Sequence, residues 1–147
     1  MIAIARATTE DLDALMPLVA AYRVFYEQET DAPRERELIA GHLRNGTSTI
    51  FFARGATGDP IGFTQLFQTY STVRLGPSLI LEDLFVVARA RGGGVATQLL
   101  SRAMQYAREI GAVGMFLETA INNVTAQRVY ERAGWTREAQ FYKYNAS

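Results

Sequence analysis

Apolar residues recur in this chain at two spacings, and the order in which these spacings alternate predicts helices and strands. Steps of three and four residues run over residues 12–26, after Thr8 and Asp11, which stand at the spacing of a helix capping box. Pro33 can open a second helix that stops near Gly46. The remaining helical stripes are residues 95–110 and 123–132.

Between the helices lie segments rich in β-branched and aromatic residues, which predict strands. These segments are residues 2–6, 48–54, 61–70, 79–87, 113–119 and 135–144. A turn containing Gly and Pro joins the second segment to the third, so these two are expected to pair antiparallel. No linker or repeat interrupts the chain. We therefore expect one α/β (α+β) domain over residues 1–147, with a mixed sheet flanked by helices.

Composition and charge narrow the class of function. The 147 residues suffice for one sizeable core, and 15 basic side chains balance 15 acidic ones, which disfavours nucleic acid or a membrane as partner. There is no cysteine, which excludes disulfides and thiolate nucleophiles. The single histidine, His42, lies in a polar-faced helix and leaves little for zinc or for a Ser-His-Asp triad. Because no leader or long apolar run is present, a cytoplasmic protein is expected. The absence of cysteine and the single histidine predict a protein without a bound metal.

A basic, glycine-rich loop precedes the third helical stripe. Gly92, Gly93 and Gly94 follow Arg89 and Arg91, directly after a predicted strand. Without Cβ atoms the backbone N–H groups can approach an anion closely, and the positive end of the helix dipole adds to their effect. The loop matches neither the Walker motif nor the dinucleotide motif. A phosphate site is one interpretation, and a flexible turn is the other.

A second group of residues lies on the last helical stripe. Asn123 is placed to begin the helix, Ala126 leaves room for close approach of a ligand, and Tyr130 follows two turns after the start. Gly134 and Trp135 come after its end. The Tyr130 phenol is a candidate to face a ligand. The alternative is a half-buried core tyrosine whose hydroxyl reaches solvent.

Taken together, these motifs resemble the GNAT superfamily of acyl-CoA-dependent N-acetyltransferases. Residues 91–96 (RGGGVA) fit its Arg/Gln-x-x-Gly-x-Gly/Ala pattern, and residues 123–135 (NVTAQRVYERAGW) look like its Asn-x-x-Ala, Tyr, Gly-Phe segment. The order of elements matches over nearly the whole chain, and Trp135 departs from the usual phenylalanine. Residues 81–86 (LEDLFV) are also similar to the spermidine/spermine-type branch, over a shorter stretch.

The resemblance implies a mostly antiparallel sheet that is splayed where acetyl-CoA, the co-substrate, binds. Backbone amides of residues 91–96 would hold the CoA diphosphate. The end of the strand at residues 79–87, near Phe85 and Val87, would pair with the pantetheine amides like an added strand. Amides near Val87 would polarise the thioester carbonyl. The expected cofactor-binding residues are Phe85, Val86, Val87, Arg91, Gly92, Gly93, Gly94, Val95, Ala96, Asn123 and Tyr130.

The resemblance also implies direct attack of a neutral amine on the acetyl carbonyl, which needs no enzyme nucleophile. Glu82, directly or through water, is the candidate base in an enclosed cleft. Asp83 competes with it, because neighbouring strand residues point to opposite faces and only one of them reaches the cleft. Tyr130 would protonate the leaving CoA thiolate. Substrate binding and simple solvation are the alternative roles of Glu82.

A cationic acceptor is suggested by the residues around the end of the first helix. Glu27, Glu29 and Asp31 follow this helix, in the region where the superfamily forms its acceptor cleft. Aromatic side chains beside them offer a wall for an ammonium group. The residues expected to bind the acceptor are Tyr22, Phe25, Tyr26 and Glu82. The alternative is that the acidic loop is simply solvated.

The sequence leaves the acceptor, and catalysis itself, open between several alternatives. A small polyamine-like or amino-acid-like amine is the first choice of acceptor, and a protein lysine or N-terminal amine is the second. A non-catalytic CoA-binding or interaction module is the alternative from a different class. The resemblance also suggests a homodimer.

Overall fold

A five-stranded sheet organises the computed structural model, which describes residues 1–147. In their order across the sheet, the strands are β1 (Ala3–Arg6), β2 (Thr49–Arg54), β3 (Pro60–Ser71), β4 (Gly76–Val86) and β5 (Gly114–Phe116). The helices are α1 (Leu12–Phe25), α2 (Ala32–Asn45), α3 (Val95–Glu109) and α4 (Val124–Arg132). Neighbouring strands are antiparallel except β4 and β5, which are parallel. The predicted mixed, mostly antiparallel sheet is confirmed.

Side chains that alternate along the strands build one core on each face of the sheet. Phe51 and Phe52 are adjacent in β2 and both buried, yet they belong to different cores. Phe52 packs in the core that contains Leu18 of α1, whereas Phe51 packs in the core that contains Leu99 of α3. The sheet is thus covered by α1 and α2 on one face and by α3 on the other.

The helix starts and stops follow the local sequence signals. The Thr8 N–H donates to Asp11 Oδ2 at 2.8 Å in a capping box, and a short 3₁₀ turn leads into α1. Asp31 caps α2, which ends at Gly46 with a φ of 64°. None of the helices combines the length and apolarity that a membrane span requires.

The sheet is splayed between β4 and β5. Only Ser78–Ile80 of β4 pair with β5, through Gly114–Phe116, so the rest of β4 has no neighbour on that side. This splaying agrees with the expectation from the resemblance. It leaves an open strand edge from Leu81 to Val86, and that edge forms one wall of the site.

A β-bulge in β4 lies within the splayed region. Gln65 of β3 is opposite Asp83, and the next residue, Leu66, is opposite Leu81, so Glu82 is the extra residue. The insertion reverses the alternation of side chains along β4. Leu81 therefore belongs to the α3 core, whereas Phe85 belongs to the α1 core.

The approach of α3 to the sheet depends on Gly62 in β3. A Cβ atom at this position would lie 2.9 Å from the carbonyl oxygen of Phe85 and 3.2 Å from side-chain atoms of Leu99 and Val95. Contacts this short mean that a larger residue at position 62 would have to displace its neighbours. Gly62 thus allows the first turn of α3 to lie beside the end of β4.

The last two predicted strands differ from the structure. β5 covers only Gly114–Phe116 and not residues 113–119, and residues 135–144 form no strand. Side-chain contacts attach this final segment instead: Trp135 Nε1–H donates to Met104 Sδ at 3.2 Å, and Lys143 pairs with Glu118 at 2.5 Å. Aromatic composition indicates strand propensity, but a strand also needs a partner edge, and β5 is only three residues long.

Candidate active site

The splayed edge of β4 opens onto a cavity of about 730 Å³. Its walls come from the end of α1, the second half of β4, the loop before α3, and α4. Most of the predicted site residues line it, namely Tyr22, Phe25, Tyr26, Glu82, Phe85, Val86, Arg91, Gly92, Gly94, Val95, Ala96, Asn123 and Tyr130. Asp83, Val87 and Gly93 do not line it. The two sequence motifs and the aromatic segment of α1 therefore meet at one cavity.

The glycine-rich loop presents backbone amides to the cavity. Gly92 and Gly94 have φ angles of 85° and 83°, in the left-handed region that favours glycine. The first bond of α3 runs from the Gln98 N–H to the Gly94 carbonyl at 3.0 Å, so the amides of residues 92–97 precede the helical ladder. No side chain caps them. Free amides at a positive helix end fit a diphosphate group.

Along the open edge of β4, every second residue directs its backbone N–H and carbonyl groups away from β3. The Val87 N–H donates to the Ile61 carbonyl at 3.0 Å, so among the amides near Val87 that were expected to polarise a thioester carbonyl, that of Val87 itself is not free. In an antiparallel pair the residues that face the partner alternate, so Phe85 also directs its backbone toward β3. Leu84 and Val86 therefore direct their N–H and carbonyl groups toward the open edge, where the Val86 carbonyl already accepts from Arg91 Nε at 3.0 Å. Among the predicted pantetheine-pairing residues, only Val86 has this orientation.

The two candidate carboxylates have different surroundings. The Asp83 carboxylate accepts a hydrogen bond from Gln65 Nε2 at 2.7 Å, and Gln65 in turn accepts one from Ser48 at 2.8 Å. Glu82, at the bulge, lines the cavity and has no hydrogen-bond or ion-pair partner within the chain. Glu82 is exposed, however, so it is not enclosed in the way the sequence analysis assumed. Of the two, Glu82 is the one that is free to contact a ligand.

Tyr22 lines the cavity and is hydrogen-bonded to the Asp83 carboxylate. Burial, the negative charge of Asp83 and hydrogen bonding to it raise the pKa of the Tyr22 phenol well above its usual value of 10.0. The phenol is therefore protonated throughout the ordinary pH range. Its ring packs edge-on against Phe63 at 5.5 Å and against Tyr26 at 5.1 Å. Tyr22 thus stabilises the Asp83 charge and forms part of the aromatic wall.

Tyr130 is half-buried on α4, with its ring centre 6.2 Å from that of Trp135. Burial, followed by the nearby Tyr26 phenol, raises the pKa of Tyr130 above 10.0. A phenol with a raised pKa keeps its proton and can donate it in a hydrogen bond. Asn123 begins the helix, because its Oδ1 accepts from the Ala126 N–H at 3.2 Å.

The acidic loop after α1 has a structural arrangement different from the one expected. Glu27, Glu29 and Asp31 do not line the cavity, and Asp31 caps α2. An ion pair that the sequence analysis missed anchors this loop: Arg23 Nη1 lies 2.7 Å from the carboxylate of Glu35. Glu35 also accepts from the Asp31 N–H at 3.0 Å.

Glu35 is buried, and these hydrogen bonds lower its pKa below the usual value. Its four-residue spacing from Ile39 and Leu43 is the sequence signal for this inward position. The α1–α2 connection is therefore held by a buried charge and does not present its carboxylates to the cavity.

The fold and site define a CoA-dependent acyltransferase. A family model described as Acetyltransferase (GNAT) family matches residues 12–135, and the chain belongs to this family. It is therefore an acyltransferase, and acetyl-CoA is the co-substrate that GNAT acetyltransferases use. The free loop amides and the open edge of β4 fit this co-substrate, since the first suit its diphosphate and the second its pantetheine amides.

Known proteins support the family at the level of the whole chain. The chain is 39% identical over 141 residues to the uncharacterized N-acetyltransferase YhfO of Bacillus subtilis (strain 168), covering 96% of this chain and 94% of that protein. A crystal structure of a probable acetyltransferase superposes with a TM-score of 0.94 at 36% identity, covering 99% of this chain and 97% of the other. An aminoglycoside N(6')-acetyltransferase type 1 of Serratia marcescens is 27% identical over 139 residues, covering 91% and 92%.

Proposed function

We propose that this protein transfers the acetyl group of acetyl-CoA directly to a primary amine of a small molecule, either polyamine-like or amino-acid-like. The observation that carries the proposal is the meeting of three features at one cavity. These are the free amides of residues 92–97, the open edge of β4 and the unpaired Glu82 carboxylate. The first two fit a CoA thioester, and the third fits the proton transfer that an ammonium acceptor requires.

In the proposed reaction, the loop amides hold the diphosphate, and the backbone of Leu84 and the N–H of Val86 pair with the pantetheine arm. The nitrogen of the neutral amine forms a bond to the acetyl carbon, the carbon–sulfur bond breaks, and the sulfur leaves as a thiolate. The nitrogen then releases its extra proton and becomes an amide, and the thiolate takes up a proton and leaves as free CoA. Holding both reactants in one cavity lowers the entropic part of the barrier. No enzyme nucleophile takes part, in keeping with a chain that contains no cysteine.

Glu82 is the proposed base that removes a proton from the acceptor ammonium, directly or through water. Its carboxylate lines the cavity without an intrachain partner, whereas the Asp83 carboxylate is engaged by Gln65 and Tyr22. Tyr130 is the proposed donor to the thiolate, because its phenol keeps its proton and lines the same cavity, and the proton that the amide nitrogen releases replaces the one that Tyr130 gives.

The acceptor class rests on the aromatic wall of Tyr22, Phe25 and Tyr26 together with Glu82. Aromatic faces and one carboxylate suit an ammonium group. The relative from Serratia marcescens is named for an aminoglycoside, which is a small molecule with several amines. The similarity of residues 81–86 to the spermidine/spermine-type branch supports the polyamine-like choice.

A protein lysine or N-terminal amine is the second candidate acceptor. It would require an open, acidic groove, and Glu27, Glu29 and Asp31 do not line the cavity.

Free CoA release from acetyl-CoA with a panel of amines tests the proposal. Spermidine, lysine, an aminoglycoside and a short peptide represent the acceptor classes. We expect turnover with a small amine and its loss in Glu82→Gln. Glu37→Gln, an exposed carboxylate on α2, is the matched control and should retain activity. Calorimetric binding of acetyl-CoA with no turnover on any amine would instead favour the non-catalytic CoA-binding module.

A cytoplasmic location and a homodimer stay predictions. Light scattering after size-exclusion chromatography measures the mass directly, and a mass near the 16.3 kDa of a single chain would contradict the dimer.

A further inference from the structure

We propose that Arg91 is a positioning residue. Its side chain holds the aromatic wall of Tyr22, Phe25 and Tyr26 against the end of β4, and it does not bind the diphosphate. The inference deepens the proposed function, because this wall is the proposed acceptor site. It concerns only the guanidinium group. The backbone amides of the loop keep the role assigned to them above.

The guanidinium group of Arg91 is engaged by protein groups at the end of α1 and the end of β4. Arg91 Nε donates to the Val86 carbonyl at 3.0 Å, which ties the side chain to the last residue of β4. Its Cζ atom lies 5.3 Å from the ring centre of Phe25 and 5.7 Å from that of Phe85. A guanidinium at these distances is attracted by the faces of both rings. Arg91 thus bridges α1 and β4.

Phe25 depends on this bridge for its position. It is the last residue of α1, it is 51% exposed, and the chain turns sharply after it, with a φ of 59° at Glu27. Its aromatic neighbours are Phe85 at 6.0 Å and Tyr26 at 5.3 Å. A half-exposed ring at a helix end is poorly constrained by the core. The contact with Arg91 therefore contributes a large share of the restraint on Phe25.

The aromatic contacts extend from Phe25 along the wall. Phe25 packs edge-on against Tyr26, and Tyr26 packs edge-on against Tyr22 at 5.1 Å. Loss of the Arg91 contact would therefore loosen the residues proposed to receive the acceptor amine. It would leave the free amides of residues 92–97 in place, since none of them depends on the guanidinium.

The variant Arg91→Gln distinguishes positioning of the aromatic wall from binding of the diphosphate. Glutamine is the other residue that the loop pattern accepts there, so the loop should keep its conformation. We expect the KM of the acceptor amine to rise about three- to tenfold, with the Kd of acetyl-CoA within about twofold of wild type. Amide hydrogen exchange at residues 22–28 should become faster. Arg91→Lys, which keeps a cation, should partly restore both properties.

Arg102→Gln is the matched control. Arg102 also lies over a phenylalanine, with its Cζ atom 4.4 Å from the ring centre of Phe51, but it does not line the cavity. Its substitution should leave exchange at residues 22–28 unchanged. A rise of more than about twofold in the Kd of acetyl-CoA in Arg91→Gln, or exchange at residues 22–28 equal to wild type, would overturn the proposal. Binding and exchange need no turnover, so this result is independent of whether an acceptor amine is found.

Discussion

Glu82 and Asp83 are consecutive residues of β4, but only Glu82 lines the cavity, while Asp83 is bonded to Gln65 at 2.7 Å on the α1 face of the sheet. Glu82 is the extra residue of the bulge and is not paired with β3, whereas Asp83 is opposite Gln65. Two adjacent carboxylates therefore have different consequences when they are substituted.

Asp83→Asn should reduce stability more than it reduces activity. The carboxylate accepts from Gln65 and lies beside Tyr22, and replacing it with an amide weakens charge-assisted bonds that are each worth about 1.5–3 kcal/mol. Urea denaturation should show a lower free energy of unfolding. In contrast, Glu82→Gln should lower kcat by about 100-fold or more with little change in stability. If the two variants exchanged these effects, Asp83 would be the base.

Gly94→Glu should weaken binding of acetyl-CoA. The φ of 83° at Gly94 is unfavourable for any L-residue, and a carboxylate at the start of α3 would repel the diphosphate. We expect a Kd at least about tenfold higher by calorimetry. Gly93→Ala is the control, because its Cβ atom would make an ordinary 3.6 Å contact with the Ala90 carbonyl oxygen. Equal affinity in both variants would argue against the loop as the anion site.

Tyr130→Phe should lower kcat at least about tenfold and leave the Kd of acetyl-CoA nearly unchanged. The pKa of Tyr130 is raised by burial, so the phenol keeps its proton above pH 10.0, the usual midpoint. The wild-type rate should therefore show no loss near pH 9 that is due to this group. Rates at saturating acetyl-CoA between pH 7 and pH 9 check this expectation, and a kcat of Tyr130→Phe equal to wild type would assign the proton transfer to water.

Glu35→Gln should reduce stability in a pH-dependent manner. Arg23 and the Asp31 N–H lower the pKa of Glu35 in the folded protein, so its charge stabilises the fold above the unfolded value of about 4.5. As the pH falls through the folded pKa, the carboxylate becomes protonated and this contribution is lost. We expect a difference of about 1–3 kcal/mol at pH 7 that shrinks below pH 4.5. A constant difference in unfolding free energy across this range would contradict the assignment.

Features that depend on neighbouring residues were predictable from the sequence, and those that depend on strand register were not. The loop of Gly92 and Gly94 and the capping box of Thr8 are local, so their residue types alone indicate them. The N–H of Val87 itself is engaged by Ile61, a partner 26 positions earlier in the chain, whose register no local pattern reports. The choice between Glu82 and Asp83 likewise required the pairing with Gln65 and Leu66.

The bulge also sets how this protein tolerates deletions. Removing residue 82 would join Leu81 directly to Asp83, and these two residues would still pair with Leu66 and Gln65, now in a regular ladder. Leu81 would stay in the α3 core and Phe85 in the α1 core, so the aromatic wall would keep its support. The inserted residue is therefore a property of the site and not of the fold, because it adds a carboxylate at the cavity that neither core requires.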